Sequence, residues 1–167
     1  MIVRPAATGD IAELAAFARF TYARAFGASM DAADLEHHLA HRLSDAYFAR
    51  AFAADDILLA CDPDLVGFAQ LGATDAEGAA PGDVQLRRLY VDPARQNAGI
   101  GSLLMRAVLA HPRLAKARHV FLDVWGENTG ALRLYERFGF VVVGTVPFVT
   151  PSGAVIGHDL LMRRALP

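Results

Sequence analysis

The residues from Leu89 to Ser102 are the first in the chain whose types and spacing suggest a binding site. An apolar run ends at Leu89-Tyr90-Val91, Asp92-Pro93 interrupts it, and Gln96-Asn97-Ala98-Gly99-Ile100-Gly101-Ser102 leads into a helical pattern. A loop of this composition can turn its backbone N–H groups inward at a helix N-terminus. Those amides, with the helix dipole, suit a phosphate or pyrophosphate. Gly99 and Gly101 permit close backbone approach, and Asn97 tolerates positive φ better than most residues. The loop is not a Walker loop, because no Lys-Ser/Thr follows the glycines. It also lacks the third glycine of the dinucleotide fingerprint. On glycine spacing alone, an ordinary strand-to-helix turn fits these residues equally well.

A second group follows about thirty residues later. Asn128 stands just after an apolar run, at a helix N-cap position. Tyr135 lies two turns along the same helix face, where it can bury its ring and offer one O–H donor. Taken singly, Asn128 is a capping residue and Tyr135 a packed tyrosine.

The two groups in this order resemble the GNAT superfamily of acyl-CoA N-acyltransferases. The matching patterns are Leu-x-x-Leu-Tyr-Val-x-Pro-x-x-Gln-x-x-Gly-x-Gly from Leu86 to Gly101, and Asn-x-x-Ala-x-x-x-Tyr-x-x-x-Gly-Phe from Asn128 to Phe140. The resemblance extends over essentially the whole chain, as a single domain spanning 1–167. It implies that the strand bearing Leu89, Tyr90 and Val91 splays from its parallel neighbour and that acetyl-CoA, as cosubstrate, lies in the gap. Leu89, Tyr90 and Val91 would all contact the cofactor, Leu89 and Val91 by bonding the pantetheine arm, and the amides of Gln96 through Ser102 (Gln96, Asn97, Ala98, Gly99, Ile100, Gly101, Ser102) would hold the pyrophosphate. Asn128 would bond the pantetheine or a water. Tyr135 would protonate the departing thiolate, and a neutral amine would attack the thioester directly. Many members of the superfamily carry a glutamate base six residues before the valine. Here that position is Gln85, which cannot serve as a base. Asp123, His158 or a water chain are the substitutes considered, and Arg87 is expected on the same strand face as Gln85. Loss of catalysis, leaving a non-catalytic acyl-CoA-binding regulatory module, is the alternative reading.

A looser resemblance links Thr21 to Gly27, the helical stretch to Ala54, Val124 to Asn128 and Gly157 to Met162 to bacterial spermidine/spermine N-acetyltransferases. It implies a small-molecule amine acceptor, with a polyamine as one option. Asp31, Asp34, Glu36 and Asp45 are the carboxylates available to a polycation, although such charges also suit a solvated helix face.

The elements that must position these groups follow from periodicity. A short strand at 2–5 precedes helices over 11–26, from Asp31 to about Leu43, and from Ser44 to about Ala54. Strands at 57–61 and 65–71 form a hairpin, followed by an exposed loop over 73–82. Strand and helix then alternate: strand 83–91, helix 99–110, strand 120–125, helix 129–138, strand 139–149, and a last strand over 155–163. The result is an α/β fold, a mixed sheet of about six or seven strands with a parallel pair flanked by helices. The apolar run Val141 to Val149 suits either core or a homodimer contact.

Composition sets the remaining bounds. Hydrophobic residues make up 54% of the 167, ample for one core, and the formal net charge of −2 disfavours a phosphate-dominated nucleic-acid binder. The single cysteine, Cys61, rules out an intrachain disulfide and a cysteine-rich metal site. His37 and His41 share a helix face without the glutamate of a His-Glu-x-x-His site, so no metal is expected. No apolar run approaches a membrane span, and no signal-peptide core opens the chain, so no membrane partner and a cytoplasmic location are expected.

Overall fold

A computed structural model describes all 167 residues. Seven strands form one sheet in the order β1-β2-β3-β4-β5-β7-β6. The strands are β1 (Ile2–Pro5), β2 (Asp56–Cys61), β3 (Leu65–Ala73), β4 (Val84–Val91), β5 (His119–Trp125), β6 (Val141–Val149) and β7 (Val155–Ala165). Helices α1 (Ile11–Phe26), α2 (Ala32–Arg42) and α3 (Asp45–Ala51) precede β2, while α4 (Ile100–Leu109) and α5 (Thr129–Arg137) connect the later strands. The elements follow the expected sequence with ends shifted by a few residues. The sequence periodicity therefore survived tertiary packing.

The sheet is covered on both faces. On one, Leu104, Met105 and Val108 of α4 and Tyr135 of α5 pack against Leu86, Val120, Leu122 and Met162. On the other, Leu14, Ala18 and Tyr22 of α1 and Phe48 of α3 pack against Leu59 and Phe68. Burial on both faces explains why β3 reads as a nearly continuous apolar run instead of an alternating one. β6 closes the sheet as an edge strand, and Val141, Val142, Val143, Val146 and Val149 are exposed on it. Of the two readings of that run, core is therefore excluded.

β4 and β5 form the only parallel pair, and it is short: Val84 faces Val120 and Gln85 faces Phe121, with no register beyond. Two local features keep this end closed and the other open. Asp83, buried just before β4, accepts hydrogen bonds at Oδ1 from Arg118 N–H (3.0 Å) and His119 N–H (2.9 Å). Its Oδ2 accepts from Ala80 N–H (2.9 Å) and lies 3.2 Å from His119 Nδ1. Past Gln85, β4 carries a bulge against β3: Leu71 faces Leu86 and Gln70 faces Arg88, leaving Arg87 extra. A bulge bends its strand and increases its twist. β5 meanwhile stays paired with β7 along its whole length, His119 to Trp125. Each strand thus follows its outer neighbour, and the two diverge.

Arg87 shares the face of Gln85, as expected: its guanidinium lies where a Cβ on Gly72, the cross-strand partner of Gln85, would stand. Its Nε pairs with Asp55 at 3.2 Å and its Nη2 donates to Ala73 O at 2.8 Å. The bulge turns Arg88 onto that face as well, where it donates through Nη1 to Tyr47 Oη (2.6 Å) and Gln70 Oε1 (2.7 Å) and ties α3 to the sheet.

Asp83→Ala should destabilise the fold by about 2–4 kcal/mol in urea unfolding, because it leaves three partly buried N–H groups without an acceptor. Burial opposes ionisation of Asp83, but hydrogen bonds from Ala80, His119 and Arg118 outweigh it and hold the carboxyl below its usual range. The wild-type contribution should therefore be full above about pH 4 and lost as pH falls below that, a dependence the variant should lack.

Candidate functional site

The open end of the β4–β5 gap is lined by backbone. Asp92 N–H donates to Val66 O at 2.9 Å. Antiparallel alternation then turns the polar groups of Tyr90 toward β3 and those of Leu89 and Val91 into the gap. Beyond β4 the Asp92 carboxylate accepts from Ala94 N–H (2.9 Å) and shapes a turn over Pro93–Arg95. Asn97 (φ 64°) and Gly99 (φ 83°) adopt left-handed backbone, as expected for Asn97, and together they aim the loop at the start of α4. The first helical bond is Leu103 N–H to Gly99 O, 2.9 Å. The seven amides from Gln96 to Ser102 have no acceptor within the chain. A row of unpartnered N–H groups at the N-terminus of a ten-residue helix attracts anions.

All of the residues from Gln96 to Ser102 except Ala98 border a cavity of about 430 Å³. Leu89, Val91, Gln96, Asn97, Gly99, Ile100, Gly101 and Ser102 form one wall, and Asn128 and Tyr135 stand on the other. Two expected residues are not among its lining. Alternation sends the Tyr90 ring to the opposite face of the sheet, edge-on to Phe68 at 5.2 Å, and Ala98 is exposed on the outside of the loop. Asn128 caps α5, its Oδ1 accepting from Ala131 N–H at 3.1 Å. Tyr135 is buried beside Phe140, ring centroids 5.9 Å apart. Burial, aided by Tyr90, raises its pKa, so the phenol keeps its proton at neutral pH.

Arg95, Arg133 and Arg137 rim the same cavity and suit a polyanion; sequence reading passed them over. Arg133 and Arg137 lie four apart on α5, a spacing that could have placed them on one face.

The opposite face carries the acidic groups. Gln85 Nε2 donates to Asp123 Oδ2 (2.7 Å), and Gln85 Oε1 accepts from Thr74 Oγ1 (3.0 Å). Burial raises the Asp123 pKa. His158 is exposed, and strand alternation places it on the sheet face opposite to Asp159. Three of the four carboxylates offered to a polycation already have partners within the chain. Asp31 caps α2 by accepting from Asp34 N–H (2.8 Å), and Asp45 pairs with Arg19 (3.3 Å). Asp34 is buried and accepts from Ser152 N–H and Oγ, each at 2.7 Å. Glu36 stays exposed. His37 and His41 stack on each other at 4.0 Å, and no three His, Cys, Asp or Glu side chains gather closely enough to hold a metal.

Above the gap on this face is an aromatic cluster. Trp125 meets Phe148 at 5.7 Å and Phe26 at 6.3 Å, and Tyr22 stacks on His38 at 4.2 Å. Burial, with the charges of Arg88, Arg42 and His37, holds His38 at about 4, so it is neutral near pH 7. The indole lies directly over Gly157 of β7, where an added Cβ would overlap it. Gly157→Ala should therefore displace Trp125 at a cost of about 1–3 kcal/mol. Because Trp125 is the only tryptophan, its fluorescence should shift to longer wavelength in that variant.

A model described as "Acetyltransferase (GNAT) family" matches residues 14–140. The spermine/spermidine N(1)-acetyltransferase of Bacillus subtilis is 36% identical over 88 residues, which is 51% of this chain and only 58% of that protein. An uncharacterised N-acetyltransferase of Mycobacterium tuberculosis is 34% identical over 161 residues, 94% of this chain and 98% of that one. The crystal structure of the PaiA N-acetyltransferase of Thermoplasma acidophilum in complex with coenzyme A has the same fold. Its TM-score is 0.77 at 18% identity, covering 99% of this chain and 98% of that one. No helix is long and apolar enough to cross a membrane.

Proposed function

The chain belongs to the GNAT acetyltransferase family, and on that premise we propose that it is an N-acetyltransferase moving an acetyl group from acetyl-CoA to a primary amine by direct attack. The observation that carries this reading is the run of unpartnered amides from Gln96 to Ser102, opening onto the same gap as the free backbone of Leu89 and Val91. The loop amides bind the pyrophosphate, with Arg133 and Arg137 at the rim adding positive charge. The backbone of Leu89 and Val91 extends the ladder to the pantetheine arm, and a Leu89 or Val91 N–H polarises the thioester carbonyl. Asn128 Oδ1 is held by its cap, leaving the amide nitrogen as the group that faces pantetheine or water. Tyr135 keeps its proton and donates it toward the leaving thiolate.

Gln85 favours a second reading, a regulatory module that binds acyl-CoA without turnover, because the usual carboxylate is an amide tied to Thr74 and Asp123. A polyamine acceptor draws its support from the likeness to the Bacillus subtilis enzyme. The carboxylates of α2 and α3 add little to it, since Asp31, Asp34 and Asp45 already have partners and Glu36 alone stays free on the surface.

Calorimetry with acetyl-CoA, followed by coenzyme A release across polyamines, aralkylamines, amino acids, aminoglycosides and peptides, tests the reading. Turnover of one acceptor class supports the enzyme; binding without turnover supports the module. Gly99→Asp places a bulky anion at a left-handed position in the loop and should abolish acetyl-CoA binding in a folded protein. Tyr135→Phe should leave acetyl-CoA affinity nearly unchanged and lower turnover by about 10–100-fold. Unchanged turnover would remove Tyr135 from the chemistry.

A further inference from the structure

The reaction proposed above needs a group to accept the amine's proton, and Gln85 cannot do so. We propose that Asp159 receives the acceptor's ammonium group and takes its first proton, with the Tyr22 hydroxyl completing the site. The inference rests on the acetyltransferase reading and assigns its acceptor side.

Register fixes where Asp159 stands. It lies on β7 between Trp125 of β5 and Val146 of β6. Residues directly opposite share a face, so Asp159 lies on the Trp125 side, with Phe148 and Gly157 one step along. Asp123, which faces Leu161, is one step the other way, toward the closed end of the gap. The Asp159 carboxylate is half-buried, yet it makes no hydrogen bond or ion pair within the chain. Asp123, by contrast, is engaged by Gln85.

Tyr22 supplies an independent observation. It is only 4% exposed, and its buried hydroxyl has no partner. Burial raises its pKa first, with Tyr90 and Asp159 close enough to add to the effect. A buried hydroxyl and a carboxylate left without partners are costly unless a ligand satisfies them. An ammonium group does so, donating N–H bonds to the carboxylate and to the phenol oxygen together. Phe26, Trp125 and Phe148 beside it favour a cation at their ring faces and an apolar substituent behind it. The ligand class is thus a primary amine borne on an apolar or aromatic group.

The charged and titratable groups around Asp159 fit this role. β5 contributes Asp123 and α1 contributes Tyr22; beyond Tyr22, α2 supplies the neutral His38 stacked on its ring, and β4 supplies Tyr90 and Arg88. Arg88 is already occupied by Tyr47 and Gln70, while β6 offers only Val146 and Phe148. Burial, and then Asp123, push the Asp159 carboxyl up to about 6. It is therefore ionised near pH 7 and a stronger base than an ordinary carboxylate.

The protons balance. The ammonium gives one proton to Asp159, which passes it to solvent. The neutral nitrogen then forms the C–N bond as the C–S bond breaks. The thiolate takes a proton from Tyr135, and the second amine proton restores the phenol through water. One proton is released overall.

The test uses the full chain with acetyl-CoA and two acceptor probes, phenethylamine and spermidine. Asp159→Asn, Asp123→Asn and Tyr22→Phe are compared with wild type. Acetyl-CoA calorimetry reports separately on the donor side, and Trp125 fluorescence reports amine binding beside Asp159 even if no turnover occurs. Phenethylamine should perturb Trp125 in the wild type more strongly than spermidine does, and Asp159→Asn should abolish that response while acetyl-CoA still binds. Asp159→Asn should also lower kcat/KM by about 100-fold and replace the limb near pH 6 with one that climbs toward the amine's own pKa. Tyr22→Phe should raise KM for the amine with a smaller change in kcat. No amine response in the wild type, an Asp159→Asn variant with the wild-type pH limb, or a loss confined to Asp123→Asn would each overturn the proposal.

Discussion

The parallel contact between β4 and β5 is only two residue pairs long, and the rest of the site depends on its stopping there. Parallel strands in the middle of a sheet ordinarily pair along their length. Here the Asp83 carboxylate fastens the beginning of β5 to the beginning of β4, and the bulge at Arg87 then carries β4 away. The cost is a set of backbone groups at Leu89 and Val91 with no strand to bond. Continuing the pairing would satisfy those groups and erase the cavity. The loop that follows extends the same unsatisfied surface, because around its left-handed residues Asn97 and Gly99 seven more amides are left without acceptors, six of them on residues that line the cavity.

The sheet separates two kinds of chemistry. The α4–α5 face presents N–H donors, arginines and one protonated phenol, an environment for anions and a leaving thiolate. The α1–α3 face presents Asp123, Asp159, neutral His38 and aromatic rings, surroundings that suit a cation. Other charges are used for architecture. Asp34 holds Ser152, and Arg88 holds α3 against the sheet.

Much of this was legible in the sequence. The order of strands and helices follows from periodicity, and the loop from Gln96 to Ser102 follows from its glycines and Asn97. What escaped depends on pairing between distant segments. The bulge put Arg88 on the same face as Arg87, and nothing local to Leu86-Arg87-Arg88 announces it. Tyr90 was grouped with its neighbours in the motif, although strand alternation sends its ring to the other face. The partner of Asp34 lies at Ser152, far along the chain, so its carboxylate read as free. Asp159 went unremarked because its surroundings arise only when β7 pairs with β5 and β6 together.

The central claim is that the open gap and its free amides form the acetyl-CoA site. Residue-resolved amide hydrogen exchange, with and without acetyl-CoA, addresses it most directly. The account predicts slowed exchange at Leu89, Val91 and the amides from Gln96 to Ser102, while Tyr90, already paired with β3, changes little. Binding accompanied by unchanged exchange at those amides, or by protection elsewhere on the sheet, would contradict it.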